Sequence, residues 1–359
     1  MTSRREFLAR TAAAGIATAI SIPITRSEAS AQTALASKPR RVGVVQTVLG
    51  PLEASKLGFT LTHEHIADAP WYLKKWPESL GGKAGFVAKA VDKLKAVRAA
   101  GVSTIIDLTT YDVGRDIRFL EEVSRKSGMQ IVAATGQRLF PPDPVIDRTA
   151  EEFTKFFIKE IEVGIDDTPI KAGVIKVASG AGALNAFEEK VLRAAARASK
   201  AAGVPIETHT VSVQRGGERQ AAIFESEGVN PARISMGHSD DTSDMDYFLG
   251  LVRRGYTLGM DHVNRGISPD FKPSLKVRAE CIKQLIDAGF AGKIFLSHDS
   301  EFCSSLLPAE DREWREKLNP DGMLFNTRKL IPYLEQIGIS DRDIGTITVD
   351  NPKHFFSRS

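Results

Sequence analysis

The sequence predicts an α/β fold, a (β/α)8 barrel of the TIM type, on three observations. Eight short apolar runs recur in order, helical patterns separate them, and polar residues gather at the C-terminal ends of the runs. The composition is that of an ordinary globular domain: 359 residues, 42% hydrophobic and 26% charged. One large domain accommodates that length, because barrels of this type commonly exceed 200 residues. Net charge is +3, and no polybasic block is interleaved with aromatic residues, so the sequence gives no support to nucleic-acid binding.

The first residues stand apart from the fold. Arg4 and Arg5 precede Phe7 and Leu8, and a weakly apolar stretch over 11–24 follows, too short to span a bilayer. Ala29-Ser30-Ala31 supplies a small-residue cleavage pattern. The segment resembles a twin-arginine export signal; a frayed N-terminal helix is the plainer alternative. The resemblance predicts a signal peptide over 1–31, the twin-arginine export machinery as a partner, and a periplasmic barrel over 32–359, with membrane association left open.

From 42 onward "VGVVQTVLG" and "PLE" predict a strand and turn. The eight barrel strands are then expected at 59–65, 104–109, 131–136, 172–179, 205–210, 234–240, 257–262 and 294–299. Most are continuous apolar runs, as parallel strands buried on both faces require. Helical patterns fall between them at 86–101, 151–164, 186–203, 218–228 and 275–289, each ending in a glycine suited to a C-cap. Closing helices are expected over 327–338 and 339–356. No linker divides the chain after the leader. Cys281 and Cys303 lack the paired spacing of a cysteine zinc site and are expected as free thiols, although an export compartment would permit a bridge.

The strand ends carry the chemistry. They read "THEH", "THT", "GHSDD", "MDH" and "SHD", and hold six of the seven histidines, His354 being the exception. In a barrel these ends form the catalytic face. His63 and His65, two apart on a strand, point to one side and Glu64 to the other, toward packing or support of the site. One such pair says little by itself. With His209, His238 and Asp299 on later strands it predicts a metal centre. Lys176 sits oddly in the middle of the run "AGVIKVAS", where an ammonium is costly to bury; strand position alone favours a lysine that snorkels or pairs with a carboxylate.

The motifs "TLTHEH", "GVIKVAS", "GVPIETHT", "GHSDDT", "MDH" and "LSHD", with "GRDIRF" (114–119) and "NPDGM" (319–323), resemble the phosphotriesterase family of the amidohydrolase superfamily. The resemblance runs from about Arg41 to the C-terminus. It implies a binuclear metal centre, most simply zinc, with cobalt, manganese or iron as alternatives. By carry-over, His63, His65 and Asp299 hold one metal, and His209 and His238 the other. Lys176, carboxylated on its side-chain nitrogen (N6-carboxylysine), and a hydroxide bridge the two. Asp299 accepts the nucleophile's proton, and Asp241 and His262 relay it outward; Asp241 can equally be an ordinary helix-start carboxylate.

The resemblance also implies a homodimer and a small-molecule substrate, either an organophosphate triester or, as the alternative, a lactone or carboxylic ester. The pocket departs from the family pattern. Arg138 replaces an expected aromatic residue, Ser300 follows the strand-eight aspartate, and Arg265 lies three residues past His262. With Tyr111, these are the expected substrate-facing positions. Two arginines there favour a negatively charged substrate group, unless they lie solvated on loops. The segment after strand eight is expected to be a loop that caps the pocket.

Overall fold

The computed structural model describes residues 43–68, 76, 81–139, 141, 143–304 and 316–357. The predicted export signal lies outside these residues. A short antiparallel hairpin, β1 (Val44–Thr47) and β2 (Gly50–Glu53), comes first. Eight parallel strands follow: β3 (Thr60–Asp68), β4 (Thr104–Asp107), β5 (Gln130–Gln137), β6 (Val174–Ala178), β7 (Ile206–His209), β8 (Ile234–Met236), β9 (Thr257–Met260) and β10 (Ile294–Leu296). Each falls inside or across its expected run. Helices α1 (Gly82–Ala99), α2 (Ile117–Ser127), α3 (Asp143–Ile146), α4 (Ala150–Glu162), α5 (Ala186–Ala202), α6 (Gly216–Ser226), α7 (Met245–Arg253) and α8 (Leu275–Asp287) lie between the strands. The α4 and α5 helices each open on a capping box, Thr149 with Glu152 and Asn185 with Glu188, which satisfies otherwise orphaned amide donors.

Neighbouring strands pair in chain order from β3 to β10. The segment after β10 closes the ring: Asp299 N–H donates to His63 O at 3.0 Å, and His65 N–H donates to Ser300 O at 3.0 Å. Residues Glu301–Ser304 then form a further strand, β11, parallel to β3. This corrects the expectation that the chain becomes a pocket-capping loop directly after Asp299. Its first residues instead continue strand eight, which changes partners from β9 to β3. Residues 305–315, the middle of that expected cap, lie outside the described set.

Two apolar cores result. Ile105, Ile131, Ile175 and Val177 face outward and pack with the helices, while Ile106, Val132, Ala134 and Val174 face the barrel axis. Both faces are dry, which is why the strands read as unbroken apolar runs. The inner core continues through Phe295, Phe355 and Phe356 with Val45 of the hairpin, giving the barrel a packed floor. Arg233 fixes that floor by donating from Nη1 to Phe355 O at 2.7 Å and to Ser357 O at 2.8 Å.

The inner face changes character higher up, and β3 shows how. Leu61 pairs with Ile105 and packs outward, but Glu64 pairs with Asp107, so three steps along β3 match two along β4. That extra residue reverses the strand's parity. Without it, His63 and His65 would share the outward side with Leu61.

Candidate metal centre

Six of the expected site residues converge at the C-terminal rim of the barrel. His63 Nε2 and His65 Nε2 approach Asp299 Oδ1 at 3.5 and 3.3 Å. On the facing strands, His209 Nδ1 and His238 Nε2 lie 2.7 Å apart. Lys176 Nζ donates to His63 Nε2 at 2.6 Å and reaches Thr208 O at 3.5 Å. Lys176 is only 1% exposed, so it does not snorkel to the rim.

Buried partners fix which ring nitrogens face inward. His63 Nδ1 and Asp261 Oδ2 are 2.7 Å apart, without hydrogen-bond alignment. His238 Nδ1 donates to Asp261 Oδ1 at 2.8 Å, and His65 Nδ1 hydrogen-bonds with Thr109 Oγ1 at 2.9 Å. A carboxylate at Nδ1 puts the proton there and leaves Nε2 as the free lone pair. Asp261 therefore orients two histidines from opposite sides of the site. The motif "MDH" does not by itself assign Asp261 this role. Strand alternation carried the signal: Leu258 and Met260 pack outward, so Gly259 and Asp261 face in.

Electrostatics suit cation binding. Burial, with the Lys176 charge, lowers the His63 pKa to about 3. Burial, with His262, lowers His238 to about 4, and burial with His238 and Lys176 takes His209 well below its ordinary value. These imidazoles are neutral and hold lone pairs for a metal. Burial raises the Asp299 pKa, but hydrogen bonds from His262 and His65 and the charges of His238 and His63 outweigh it and hold the group ionised. Burial lowers Lys176 to about 8, against partial support from Asp299.

A second line of groups leads away from the cluster. Asp299 Oδ2 accepts from His262 Nε2 at 2.9 Å, and His262 Nδ1 donates to Asp241 Oδ2 at 2.7 Å. Burial and Arg265 lower the His262 pKa, yet bonds to Asp241 and Asp299 prevail and hold it up at about 9. Burial raises Asp241, but the His262 hydrogen bond and charge bring it down to about 2. The fully buried Arg278 locks this line from behind: its Nη1 donates to Asp240 Oδ2 at 2.8 Å and to Asp241 Oδ1 at 3.1 Å. Asp240 Oδ1 in turn accepts the backbone N–H groups of Asp261 and His262, each at 3.1 Å.

Backbone geometry tightens the rim. His238 and Asp299 adopt left-handed φ values of 57° and 49°. Such positions cost about 1–3 kcal/mol each and cluster where side-chain aim matters. Gly237 lets β8 approach β7: a Cβ there would stand 2.1 Å from Thr208 O and 3.1 Å from His63 Cε1. Neither feature was read from the sequence.

One histidine departs from expectation. His298 sits at a strand end but turns away from the site: its Nδ1 donates to Glu64 Oε1 at 2.6 Å, and its Nε2 accepts from Asn326 N–H at 3.0 Å. Both Ser297 and His298 direct their side chains to the same Glu64 oxygen. Glu64, on the outer face as expected, also accepts from Ser297 Oγ at 2.7 Å, His298 N–H at 2.9 Å and Ser300 N–H at 3.0 Å. It pins the closing segment to β3.

The expected substrate-facing residues divide. Arg265 Nη2 donates to Asp299 Oδ2 at 2.9 Å. Ser300 is held through its backbone by Glu64 and His65. The Tyr111 hydroxyl donates to Gln137 Oε1, and its ring meets Phe156 edge-on. Arg138 follows β5 directly, is half-buried, and its charge reaches both Lys176 and His209. Cys281 is a buried free thiol; the side chain of Cys303 lies outside the described set.

Fold and site together define the class: a (β/α)8 barrel with a histidine–carboxylate centre, able to hold metal, at its strand ends. The chain belongs to the phosphotriesterase family, whose profile matches residues 43–356. It is 35% identical to a Mycobacterium tuberculosis protein named phosphotriesterase homology protein, over 88% of this chain and 98% of that one. It is also 35% identical to a Saccharolobus solfataricus aryldialkylphosphatase, over 85% and 97% of the two chains. The solved structure of the Mycobacterium tuberculosis phosphotriesterase superposes with a TM-score of 0.81 at 34% identity, covering 88% of this chain and 98% of that one.

Proposed function

We propose that this family member is a binuclear metal-dependent hydrolase whose first activity is on organophosphate triesters. The observation that carries the reading is the orientation of the histidines: Asp261 holds the Nδ1 sides of His63 and His238, which leaves their Nε2 atoms to face Lys176 and His209. His63, His65 and Asp299 would hold one cation, and His209 and His238 the other. Lys176 fits the bridge only as an anion. Its free amine would attack carbon dioxide, form an N–C bond and release one proton, giving a carbamate with an oxygen for each cation. Two divalent cations at such a site acidify water and polarise a phosphoryl or carbonyl oxygen. Zinc suits the nitrogen-rich donor set.

The chain's own groups handle the proton. Asp299 presents Oδ1 to the histidines and Oδ2 to His262 Nε2, so one carboxylate touches both the donor cluster and the exit line. His262 passes the proton toward Asp241, which Arg278 keeps in place. The backbone closure at Asp299 and Ser300 keeps this carboxylate aimed.

Lactone or carboxylic-ester hydrolysis is the second reading, favoured by the absence of aromatic side chains at Arg138, Arg265 and Ser300, which leaves less apolar cover for an aryl leaving group. Protein loaded with zinc and bicarbonate, assayed on an aryl dialkyl phosphate and a lactone panel, separates the two. A much higher kcat/KM on lactones overturns the first choice. Export by the twin-arginine route, which carries folded proteins, fits a chain that takes up metal before crossing the membrane.

A further inference from the structure

The two arginines near the site are not equivalent. Arg265 has an internal partner, Asp299. Arg138 has none: among the described residues its guanidinium makes no hydrogen bond or ion pair, although the residue is half-buried. The nearby carboxylate of Asp112 is already engaged. Its Oδ1 accepts from Thr110 Oγ1 at 2.5 Å, and its Oδ2 from Gln137 Nε2 at 2.7 Å and from the backbone N–H of Arg138 at 3.1 Å. Asp112 thus holds the Arg138 backbone, and its charge and that of Arg138 attract one another without a hydrogen bond or ion pair between the side chains.

Strand register places the residue. Gly136 pairs with Lys176, and Gln137 with Val177. Arg138 therefore stands level with Ala178, which pairs with His209. It lies one residue past the end of β5 at that level. Two residues of strand rise put it roughly 6–7 Å nearer the mouth than Lys176. The Arg138 charge is felt below, since it lowers the pKa of both Lys176 and His209. A cation beside a cation-binding centre, half-desolvated and without a hydrogen-bonded partner among the described residues, is unfavourable in the free enzyme and becomes useful when an anion arrives.

Resting on the hydrolase reading above, we infer that Arg138 is a specificity residue that binds an oxyanion carried by the substrate away from its reacting centre, so that the preferred substrates, whether phosphoric or carboxylic esters, carry an acidic arm. A planar guanidinium takes a carboxylate or phosphate through paired N–H donors. Arg265 cannot serve in the same way while it is held by Asp299.

The test compares mono-4-nitrophenyl glutarate with 4-nitrophenyl pentanoate, whose acyl chains match except for the terminal carboxylate. Both are assayed with the zinc- and bicarbonate-loaded enzyme. The wild type is expected to favour the glutarate in kcat/KM by at least about tenfold, the scale of one charge-assisted hydrogen bond. In Arg138→Gln that ratio is expected to fall to near one, and Arg138→Lys to restore part of it. A wild type without preference overturns the inference, as does a variant that slows both esters equally. Loss of metal in Arg138→Gln would make the arginine a counter-ion of the site and also overturn it. Binding of glutaramate against pentanamide, measured by calorimetry on the same proteins, keeps the test independent of turnover. If neither carboxylic ester is hydrolysed but glutaramate still binds through Arg138, the lactone and carboxylic-ester reading fails and the oxyanion site stands; loss of aryl dialkyl phosphate hydrolysis as well would sink the hydrolase reading.

Discussion

Asp299 Oδ2 lies 2.9 Å from His262 Nε2, while Oδ1 of the same carboxylate faces His65 Nε2 at 3.3 Å. One side chain thus joins the donor cluster to the line that ends at Asp241. A residue with that double role separates two kinds of variant, those that lose metal and those that lose proton transfer.

His262→Asn and Asp241→Asn belong to the second kind. Each is expected to lower kcat by about 10²–10⁴-fold, the usual contribution of a positioned acid–base group. Metal content, read by elemental analysis of the purified proteins, should match wild type. Full activity in both variants would remove the relay.

Asp261→Asn belongs to the first kind. The carboxylate holds Nδ1 of both His63 and His238, and such orienting partners are worth about 10–100-fold in metal affinity. Zinc competition with a chromophoric chelator should show weaker binding, with little change in the far-ultraviolet circular dichroism. Wild-type affinity would mean that the histidines are aimed by packing alone.

Glu64→Gln tests the closure. Glu64 is fully buried, and its carboxylate accepts from Ser297, His298 and Ser300. The amide would turn an N–H group toward one of these donors and remove the charge that balances them. A loss of about 2–4 kcal/mol is expected in urea unfolding of the metal-free protein. An unchanged midpoint at an unchanged slope would show that the segment from His298 to Ser300 is held by its backbone pairing with β3.

The floor gives a purely structural counterpart. Phe356 is wholly buried between Phe295 and Phe355. Its replacement by alanine should cost about 3–5 kcal/mol in the same unfolding assay. A loss below about 1 kcal/mol would mean that the floor collapses around the cavity.

The strands were legible because burial on both faces leaves unbroken apolar runs, and Ile105, Ile106, Val174 and Ile175 show both faces in use. The histidines that converge at the rim were legible because histidines are scarce elsewhere in the chain. What escaped was set by backbone geometry. The extra residue in β3 that turns His63 and His65 inward depends on pairing with β4, which no local pattern encodes. His298 shares the strand-end position of the other histidines, and only its pairing with Glu64 shows that it turns away from the site. Asp261 escaped because its partners, His63 and His238, are brought to it only by the closed barrel. The strand β11 escaped because its pairing partner, β3, lies more than two hundred residues earlier in the chain.

The central claim is that Lys176, buried and 2.6 Å from His63 Nε2, serves as an anionic bridge once carboxylated. The most direct measurement is the metal-to-protein ratio of wild type and Lys176→Ala, each loaded with zinc in bicarbonate buffer, with and without added short carboxylic acids. The account predicts about two zinc ions per wild-type chain, a clear deficit in the variant, and partial recovery with acetate or propionate. A full complement of zinc in Lys176→Ala without any added acid would contradict it.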